Sequence, residues 1–402
     1  MSHPSSVIRL IIPALLGPGA PPTQPVDSGG FVITLGRDTI GVERYTRTAD
    51  RLVDDMVMRD RAPAIRRHVI AQLGSAGMIS RVELDNSTLV ASDVPPLHAV
   101  GRFTTDEAFI DLTRNGQTTT AHVVTPDGAL PFINFCYALY DQYGRRARAL
   151  GGSPVKVSVI GFGATNTIDL TVTFPTRDSM GVAFQNDAPT LFRVDAMGWI
   201  LGADGRLTTQ KVLVRRVPTL DIEAFARSFA SRPLGQLSPP DSVRADIAGA
   251  HIAIEYGRPA TRGRKIFGAV VPWNQVWRTG ANFATRFTTS ADLMIGHATI
   301  PKGSYTMWTL PATTGWKLIL SKQTRAPCAG EACNLPTRAR LWGTDYDADS
   351  DFVRLDARTE SLPAPVEQFT IVVLPLSQGT GGIIQMDWET TRISIPFTRK
   401  VS

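Results

Sequence analysis

Residues 250–282 read AHIAIEYGRPATRGRKIFGAVVPWNQVWRTGAN, and this stretch decides how the second half of the chain is interpreted. Its first seven residues place Ile252, Ile254 and Tyr256 on one side and His251, Ala253 and Glu255 on the other. This period of two predicts a β-strand with one buried face. The glycines, arginines and tryptophans that follow fit neither a regular strand nor a regular helix, so we expect an ordered loop there.

The region after this loop contains further short, alternating runs separated by turn residues. Phe352–Ala357 and Glu367–Leu374 are two of the strands that we predict. Many short strands at regular spacing are typical of a β-sandwich or jelly roll. We therefore predict a mainly β protein whose C-terminal domain is a jelly-roll-like β-sandwich.

The first half of the chain also alternates in short runs, from Phe31 to about Pro218. Asn115-Gly116 is a strong hairpin signal. Ala203-Asp-Gly-Arg indicates a second hairpin and places residues 207–217 in a strand. These patterns predict an antiparallel meander or half-barrel.

One segment near residues 132–143 departs from the strand pattern. Its apolar residues Phe132, Phe135, Cys136 and Leu139 have helical spacing. Pro131 suits the first turn of a helix, and Gly144 suits its end. We expect this helix to pack against one side of the sheet, because both then bury an apolar face.

The sequence divides into four parts. Residues 1–29 are a signal-like or disordered segment, with an apolar stretch at 7–16 and a Pro/Gly-rich tail. Residues 30–230 form the antiparallel β domain, the Pro-rich residues 231–242 a linker, and residues 243–402 the β-sandwich domain. The first part favours a periplasmic or secreted location over a cytoplasmic one. The chain has no other long apolar segment, so we expect no transmembrane segment.

Composition limits the classes of partner. The 42 Lys and Arg residues exceed the 36 Asp and Glu residues, which gives a net charge of +6. The basic residues are spread along the chain, whereas nucleic-acid binding usually needs them clustered on one face. The glycine-rich run after Val157 continues as a strand, whereas a dinucleotide loop must lead into a helix. We therefore predict no nucleic-acid partner and no cofactor.

The loop after Tyr256 holds the predicted ligand-binding residues, which are Arg258, Arg264, Trp277, Arg278 and Asn282. Guanidinium groups beside glycine-exposed backbone N–H groups suit a carboxylate, sulfate or phosphate. The expected ligand is small and anionic or glycan-like. The alternative is structural, with the arginines forming ion pairs and stacking on Trp273 and Trp277.

Three further sets of residues carry narrower hypotheses. His251 and Glu255 share a strand face and are the candidates for acid–base catalysis. Asp345, Asp347, Asp349 and Asp351 have the alternating spacing of a calcium loop, but Ser350 stands where such a loop has glycine. Cys328 and Cys333 flank a short loop and would form a disulfide in an exported protein.

Several blocks of the second half recur in order in a known family. They include Ile254-Glu-Tyr-Gly-Arg-Pro, Trp277-Arg-Thr-Gly-Ala-Asn, Pro301-Lys-Gly-Ser-Tyr and Trp388-Glu-Thr-Thr. Residues 237–399 resemble the bacterial domain of unknown function 2911. The resemblance implies an exported β-sandwich domain and no established activity. It supports neither the disulfide, which lies in an apparent insertion, nor the calcium loop. Residues 30–230 resemble periplasmic lipoprotein-carrier half-barrels in architecture alone.

These observations favour an exported bacterial envelope protein that binds an anionic or sugar-like ligand without catalysis. A hydrolase-like enzyme at the His251 and Arg278 region is one alternative. A lipid carrier that uses the N-terminal half-barrel is another. The sequence does not define the oligomeric state.

Overall fold

The computed structural model describes residues 26–125, 127–185, 187–325, 340–377 and 379–400. The protein is mainly β, with 55% of residues in strands and 8% in helices, which confirms the predicted fold class. Its strands form two large sheets, one in each half of the chain. In the described residues, neither helix has the length and apolar character needed to cross a bilayer.

The N-terminal sheet has 15 strands and is an open meander that is antiparallel except between β9 and β10. Its two ends are β8 and β9, and β1 pairs with β15 in the middle, so the order is β8 to β1 followed by β15 to β9. The strands are β1 Asp27–Leu35, β2 Asp38–Arg47, β3 Arg51–Met58, β4 Ile65–Leu73, β5 Ile79–Thr88, β6 Leu97–Phe103, β7 Glu107–Arg114, β8 Gln117–Val124, β9 Leu130–Phe132, β10 Val155–Gly161, β11 Ile168–Thr173, β12 Ser179–Phe184, β13 Thr190–Val194, β14 Ile200–Asp204 and β15 Leu213–Val217.

The predicted hairpins form, with one difference in length. Asn115 and Gly116 adopt positive φ between β7 and β8, as a two-residue hairpin turn requires. The second hairpin joins β14 to β15 through residues 205–212. Part of the predicted strand 207–217 is therefore a loop, and this loop later contributes to the candidate site.

The helix begins and ends later than predicted. A 3-10 turn at Tyr137–Leu139 leads into α1, Tyr140–Leu150. Residues 130–132 instead form β9, which pairs in parallel with β10. Pro131 is tolerated there because β9 is an edge strand.

Gly144 lies inside α1 and does not end it. A Cβ atom at this position would lie 2.7 Å from the Met180 sulfur, so the glycine permits close packing of the helix on the sheet. The helix ends at Gly151, whose φ of 81° is unfavourable for other residues.

The space between this helical segment and the sheet is filled by side chains. Tyr137, Leu139, Tyr140 and Tyr143 are all buried, and each such side chain contributes about 1.5–3 kcal/mol of burial free energy. Glu43 lies beneath them. Its two carboxylate oxygens accept the backbone N–H groups of Tyr137 and Ala138 at 2.8 and 2.7 Å, which fixes the start of the helical segment.

The connection between the domains contains α2, Ile222–Ser231, whose first turn is capped by the Asp221 carboxylate at 2.9 Å from the Ala224 N–H. Residues 232–239 then lead directly into the second sheet, which starts at Pro240. The predicted linker is therefore shorter by a few residues. The first strand likewise begins at Asp27, inside the segment predicted to be signal-like.

The C-terminal sheet has nine strands in the order β16-β17-β18-β21-β22-β23-β24-β19-β20. Its strands are β16 Pro240–Ile247, β17 Ala250–Gly257, β18 Thr285–Thr289, β19 Leu293–Ile295, β20 Ala298–Ile300, β21 Gly303–Leu310, β22 Trp316–Ser321, β23 Asp351–Pro375 and β24 Gly381–Arg399.

This sheet folds over one main core, with a smaller buried cluster around Trp308. The predicted strands 352–357 and 367–374 are two parts of β23, which pairs first with β22 and then with β24. Ile254 and Phe287 from the first strands and Ile371 and Met386 from the last ones belong to the same buried cluster. The result is a sandwich-like domain made from one long sheet.

We predict that the stability of the N-terminal domain falls as the pH rises from about 4 to 7. Burial raises the pKa of Asp54, which lies beside Glu43, to about 7. Because an unfolded aspartate has a pKa of about 3.9, the stabilisation from the bound proton is complete below pH 4 and lost above pH 7. The expected slope is on the order of 1 kcal/mol per pH unit.

Urea unfolding of the wild type and Asp54→Asn at four pH values measures this slope. The variant has no proton to lose at this position, so its stability should vary less with pH. Asp93→Asn, at an exposed position, is the control and should follow the wild type. Parallel pH profiles for wild type and Asp54→Asn would contradict the raised pKa of Asp54.

Candidate functional site: a cleft between the domains

The loop that follows β17 lies against the N-terminal domain, and Arg262 makes the contact. Its Nη1 atom lies 2.6 Å from Asp38 Oδ2, and its backbone carbonyl accepts the Arg37 N–H at 3.0 Å. Gly36, in the turn between β1 and β2, approaches the same carbonyl so closely that a Cβ atom would collide with it. The loop therefore connects the two domains through side chain and backbone together.

Arg258 is also a structural residue. It pairs with Asp241 at 3.1 Å and donates hydrogen bonds to the Phe369 carbonyl at 3.1 Å and to Thr370 Oγ1 at 2.9 Å. Its side chain joins β16, the loop and β23. It does not line the cleft described next, although the sequence placed it among the ligand-binding residues.

A cleft of about 1130 Å³ lies between the domains. Residues 236–238 of the connection form part of its wall. The N-terminal domain contributes Phe132, Phe184, Leu207 and Lys211, and the C-terminal domain contributes Arg264, Arg278 and Trp342. Sites of this size between domains are typical places for a small ligand.

Three half-buried cations face this cleft. Lys211 Nζ donates to the Val270 carbonyl at 2.9 Å, which is a second contact between the domains. Arg264 donates to the carbonyls of Thr261 and Ala260 at 2.9 and 2.7 Å, and Arg278 donates to that of Asn282 at 3.2 Å. In the part of the chain that the structure describes, none of the three cations has a carboxylate within 4.0 Å.

The electrostatic environment of these cations disfavours their charge. Burial, with Arg278 nearby, lowers the pKa of Lys211 to about 8. Burial, with Arg262 nearby, lowers the pKa of Arg264 to about 10, and burial lowers that of Arg278. The three cations therefore lack a directly paired carboxylate within the described residues, although Asp60 and Asp187 also line the cleft.

The Asp187 carboxylate also lines the cleft, and its oxygens accept hydrogen bonds from other groups. One of its oxygens accepts the Thr209 N–H and hydroxyl at 2.9 and 2.8 Å, and the other accepts the Ala188 N–H. Its negative charge acts to raise the pKa of Lys211 and that of Arg278, against the larger effect of burial. It forms no ion pair with either residue. An anion is thus the group that this cleft would accept most readily.

The tryptophans of the loop serve the core. Trp277 is buried, stacks on Trp388 with ring centroids 5.7 Å apart, and packs against Phe369 and Phe267. Among the residues that the structure describes, no guanidinium lies over Trp273 or Trp277. The structural alternative predicted that the arginines stack on these tryptophans and form ion pairs. The stacking is wrong, whereas Arg258 and Arg262 do form ion pairs.

Asn282 lines the cleft beside Arg278. Its amide Nδ2 donates to the Ser238 carbonyl at 3.3 Å, and its φ of 66° turns the chain sharply. Of the five predicted ligand-binding residues, the structure thus brings Arg264, Trp277, Arg278 and Asn282 to the cleft wall.

His251 and Glu255 lie elsewhere. His251 is exposed on β17, and its Nδ1 pairs with Asp246 on the neighbouring strand. Neither His251 nor Glu255 lines the cleft that contains Arg278. The geometry required for a catalytic site at these residues and Arg278 is therefore not present.

The aspartates of the predicted calcium loop do not converge. Asp347 caps a short 3-10 turn at Ala348–Ser350, and Asp351 pairs with Arg354 at 2.8 Å and accepts the Tyr346 hydroxyl at 2.6 Å. Asp345 and Asp349 join no group of three potential metal ligands within the described residues. Cys328 and Cys333 lie outside the described residues.

One group of three potential ligand atoms occurs in the described chain, formed by Glu43, Asp54 and Cys136 within 4.8 Å of one another. Both Glu43 oxygens already accept backbone N–H groups, and the Cys136 thiol donates to Asp54 at 3.4 Å. Burial, reinforced by Asp54, raises the pKa of Glu43 well above its usual range. A shared proton explains this arrangement without a metal.

The sequence missed Lys211 and Trp342. Lys211 was assigned to a strand, but it adopts a φ of 58° in the loop between β14 and β15, and this conformation directs the loop to the second domain. Trp342 was not predicted to take part in a site. Its exposure of 38% shows that it is not a core tryptophan.

Comparison with known proteins found one family model, which matches part of the chain. Residues 238–397 match the family model described as Protein of unknown function (DUF2911), which confirms the resemblance predicted for residues 237–399. No curated protein matches the chain.

Among solved structures, the crystal structure of a DUF1089 family protein from Pseudomonas aeruginosa is similar to this protein. The match covers 49% of this chain and 97% of that one, at 13% identity and a TM-score of 0.31. A similarity this low transfers neither fold nor function.

We predict that Gly36→Ala weakens the contact between the domains. Gly36 has a φ of 59°, and its missing side chain faces Arg262. Gly116→Ala is the matched control, because Gly116 has a φ of 72° in another hairpin turn and has no neighbour that an added Cβ would meet. Each change should cost on the order of 1 kcal/mol in backbone strain.

Only Gly36→Ala should also separate the domains. Limited proteolysis within residues 232–239 should become severalfold faster in Gly36→Ala than in the wild type or in Gly116→Ala. Equal proteolysis rates in the two variants would show that this turn does not hold the domains together.

Proposed function

We propose that the protein binds a small anionic ligand in the cleft between its domains, without catalysing a reaction. The observation that carries this proposal is the set of three half-buried cations, Lys211, Arg264 and Arg278, that lack a carboxylate partner in the described chain. The ligand would contribute the missing negative charge.

An energetic argument supports the proposal. Burying a charge without a partner is unfavourable, and like charges at close range add to the cost. Two other arginines of the same loop do have carboxylate partners: Arg258 pairs with Asp241 at 3.1 Å and Arg262 with Asp38 at 2.6 Å. Arginines of this loop can therefore form ion pairs with carboxylates in this fold. The cations in the cleft do not, which supports a role in binding an anion.

The chemistry of the site favours binding over turnover. Guanidinium groups recognise carboxylate, sulfate and phosphate oxygens, and Arg264 and Arg278 retain donors beyond those that bond to backbone carbonyls. The candidate acid–base pair His251 and Glu255 does not reach the cleft. An exported envelope location remains the prediction that the sequence makes, and the binding proposal does not depend on it.

We predict that sulfate raises the thermal midpoint of the wild-type protein at constant ionic strength, and that Arg278→Gln abolishes most of this rise. A ligand at 100 times its Kd adds about 2.7 kcal/mol of stability, and each kcal/mol raises Tm by roughly 2–4 °C in domains of this size. Differential scanning fluorimetry against a chloride series of matched ionic strength measures the effect.

Arg286→Gln is the control for this experiment. Arg286 is an exposed arginine on β18 that does not line the cleft. Its variant should respond to sulfate as the wild type does. An equal sulfate response in Arg278→Gln would remove Arg278 from the site, and no response in any variant would count against anion binding.

We predict that anion binding weakens as the pH rises through about 8. The pKa of Lys211 in the protein without ligand is about 8, so the lysine loses its charge in this range, whereas both arginines keep theirs. The sulfate affinity at pH 7 should exceed that at pH 9 by severalfold.

Lys211→Met removes the titrating group and should bind sulfate weakly at both pH values. Lys302→Met, at an exposed lysine outside the cleft, is the control and should keep the wild-type dependence. A wild-type affinity that does not change between pH 7 and pH 9 would contradict the role of Lys211.

A further inference from the structure

The cleft is much larger than an inorganic anion needs. Its volume is about 1130 Å³, whereas one water in the liquid takes about 30 Å³. A carboxylate or sulfate held by Lys211, Arg264 and Arg278 would leave most of this space unfilled. The remaining walls therefore indicate what else the ligand contains.

Two exposed large hydrophobic side chains line this cleft. Leu207 is 62% exposed and Trp342 is 38% exposed. Both are adjacent to cations: the Leu207 carbonyl accepts from Lys211 Nζ at 3.4 Å, and Gly343, next to Trp342, lies against the Arg278 side chain. Each domain therefore places an exposed apolar residue next to a cation of the cleft.

Two phenylalanines extend the apolar surface on the N-terminal domain. Phe132 on β9 and Phe184 on β12 meet edge to face with ring centroids 4.7 Å apart, and both are half-buried. They pack on the core of the first sheet and face the cleft. An apolar group in the cleft would cover surface that otherwise contacts water.

We infer that the ligand is an amphiphilic anion, with a carboxylate on Lys211, Arg264 and Arg278 and an acyl chain along Leu207, Phe132 and Phe184. This inference rests on the proposed function, and it adds to the anionic ligand an acyl chain. Charge complementarity favours an anionic head group, and the exposed apolar side chains near the cations offer a surface for the chain. A saturated fatty acid is the simplest compound of this class.

Titration calorimetry with acetate, hexanoate, octanoate and decanoate, all below their micelle concentrations, tests the inference. Each pair of added methylenes should tighten binding by about tenfold, because each buried methylene is stabilising. 1-Octanol, which has the chain without the charge, should bind at least tenfold more weakly than octanoate.

Leu207→Ser and Leu191→Ser form a matched pair of variants. Both leucines are exposed, so neither change threatens the fold, but only Leu207 lines the cleft. Leu207→Ser should reduce the gain in affinity per methylene and leave the sulfate response intact. Leu191→Ser should match the wild type in both measurements.

The possible results separate this inference from the proposed function. If sulfate stabilises the protein but decanoate binds no more tightly than acetate, the acyl chain is wrong and anion binding stands. If octanol binds as tightly as octanoate and sulfate has no effect, both proposals are overturned. An unchanged chain-length dependence in Leu207→Ser would place the chain elsewhere and overturn the inference.

Discussion

The contact between Arg262 and the turn at Gly36–Asp38 holds the two domains in the arrangement on which the cleft depends. An ion pair of 2.6 Å and a backbone hydrogen bond of 3.0 Å fix one loop of the sandwich domain on a hairpin of the meander domain. Neither domain forms the cleft alone, because Lys211 comes from the first and both arginines come from the second. The geometry of the site is therefore a property of the interface.

Within one short loop the same residue type has two roles. Arg258 and Arg262 find carboxylates on β16 and at the start of β2, and they hold the structure together. Arg264 and Arg278 bond to nearby carbonyls, which orient their side chains, and neither pairs with a carboxylate within 4.0 Å among the described residues. Backbone carbonyls can position a cation without neutralising it. This difference distinguishes a structural arginine from one that can serve a ligand.

Local patterns predicted local structure well. The hairpin at Asn115-Gly116 depends on the conformational preferences of those two residues, so the sequence reveals it. The start of α1 depends on distant partners, because β9 pairs with β10 and Glu43 binds the N–H groups of Tyr137 and Ala138. The arginine-rich composition of the loop after β17 predicted a ligand-binding site there. Composition could not show that Arg258 and Arg262 are structural whereas Arg264 and Arg278 line the cleft. The partner of Arg262, for example, is 224 residues away in the sequence.

Lys211 shows why the sequence could not predict every residue of the site. The sequence around it alternates like a strand, and a positive φ of 58° carries the residue out of that pattern. The loop gains the hydrogen bond from Lys211 Nζ to the Val270 carbonyl of the other domain, at 2.9 Å. This bond stabilises the interface only while the lysine stays buried, where its charge is unfavourable. An anion in the cleft would relieve that cost, so ligand binding and the contact between the domains should strengthen each other.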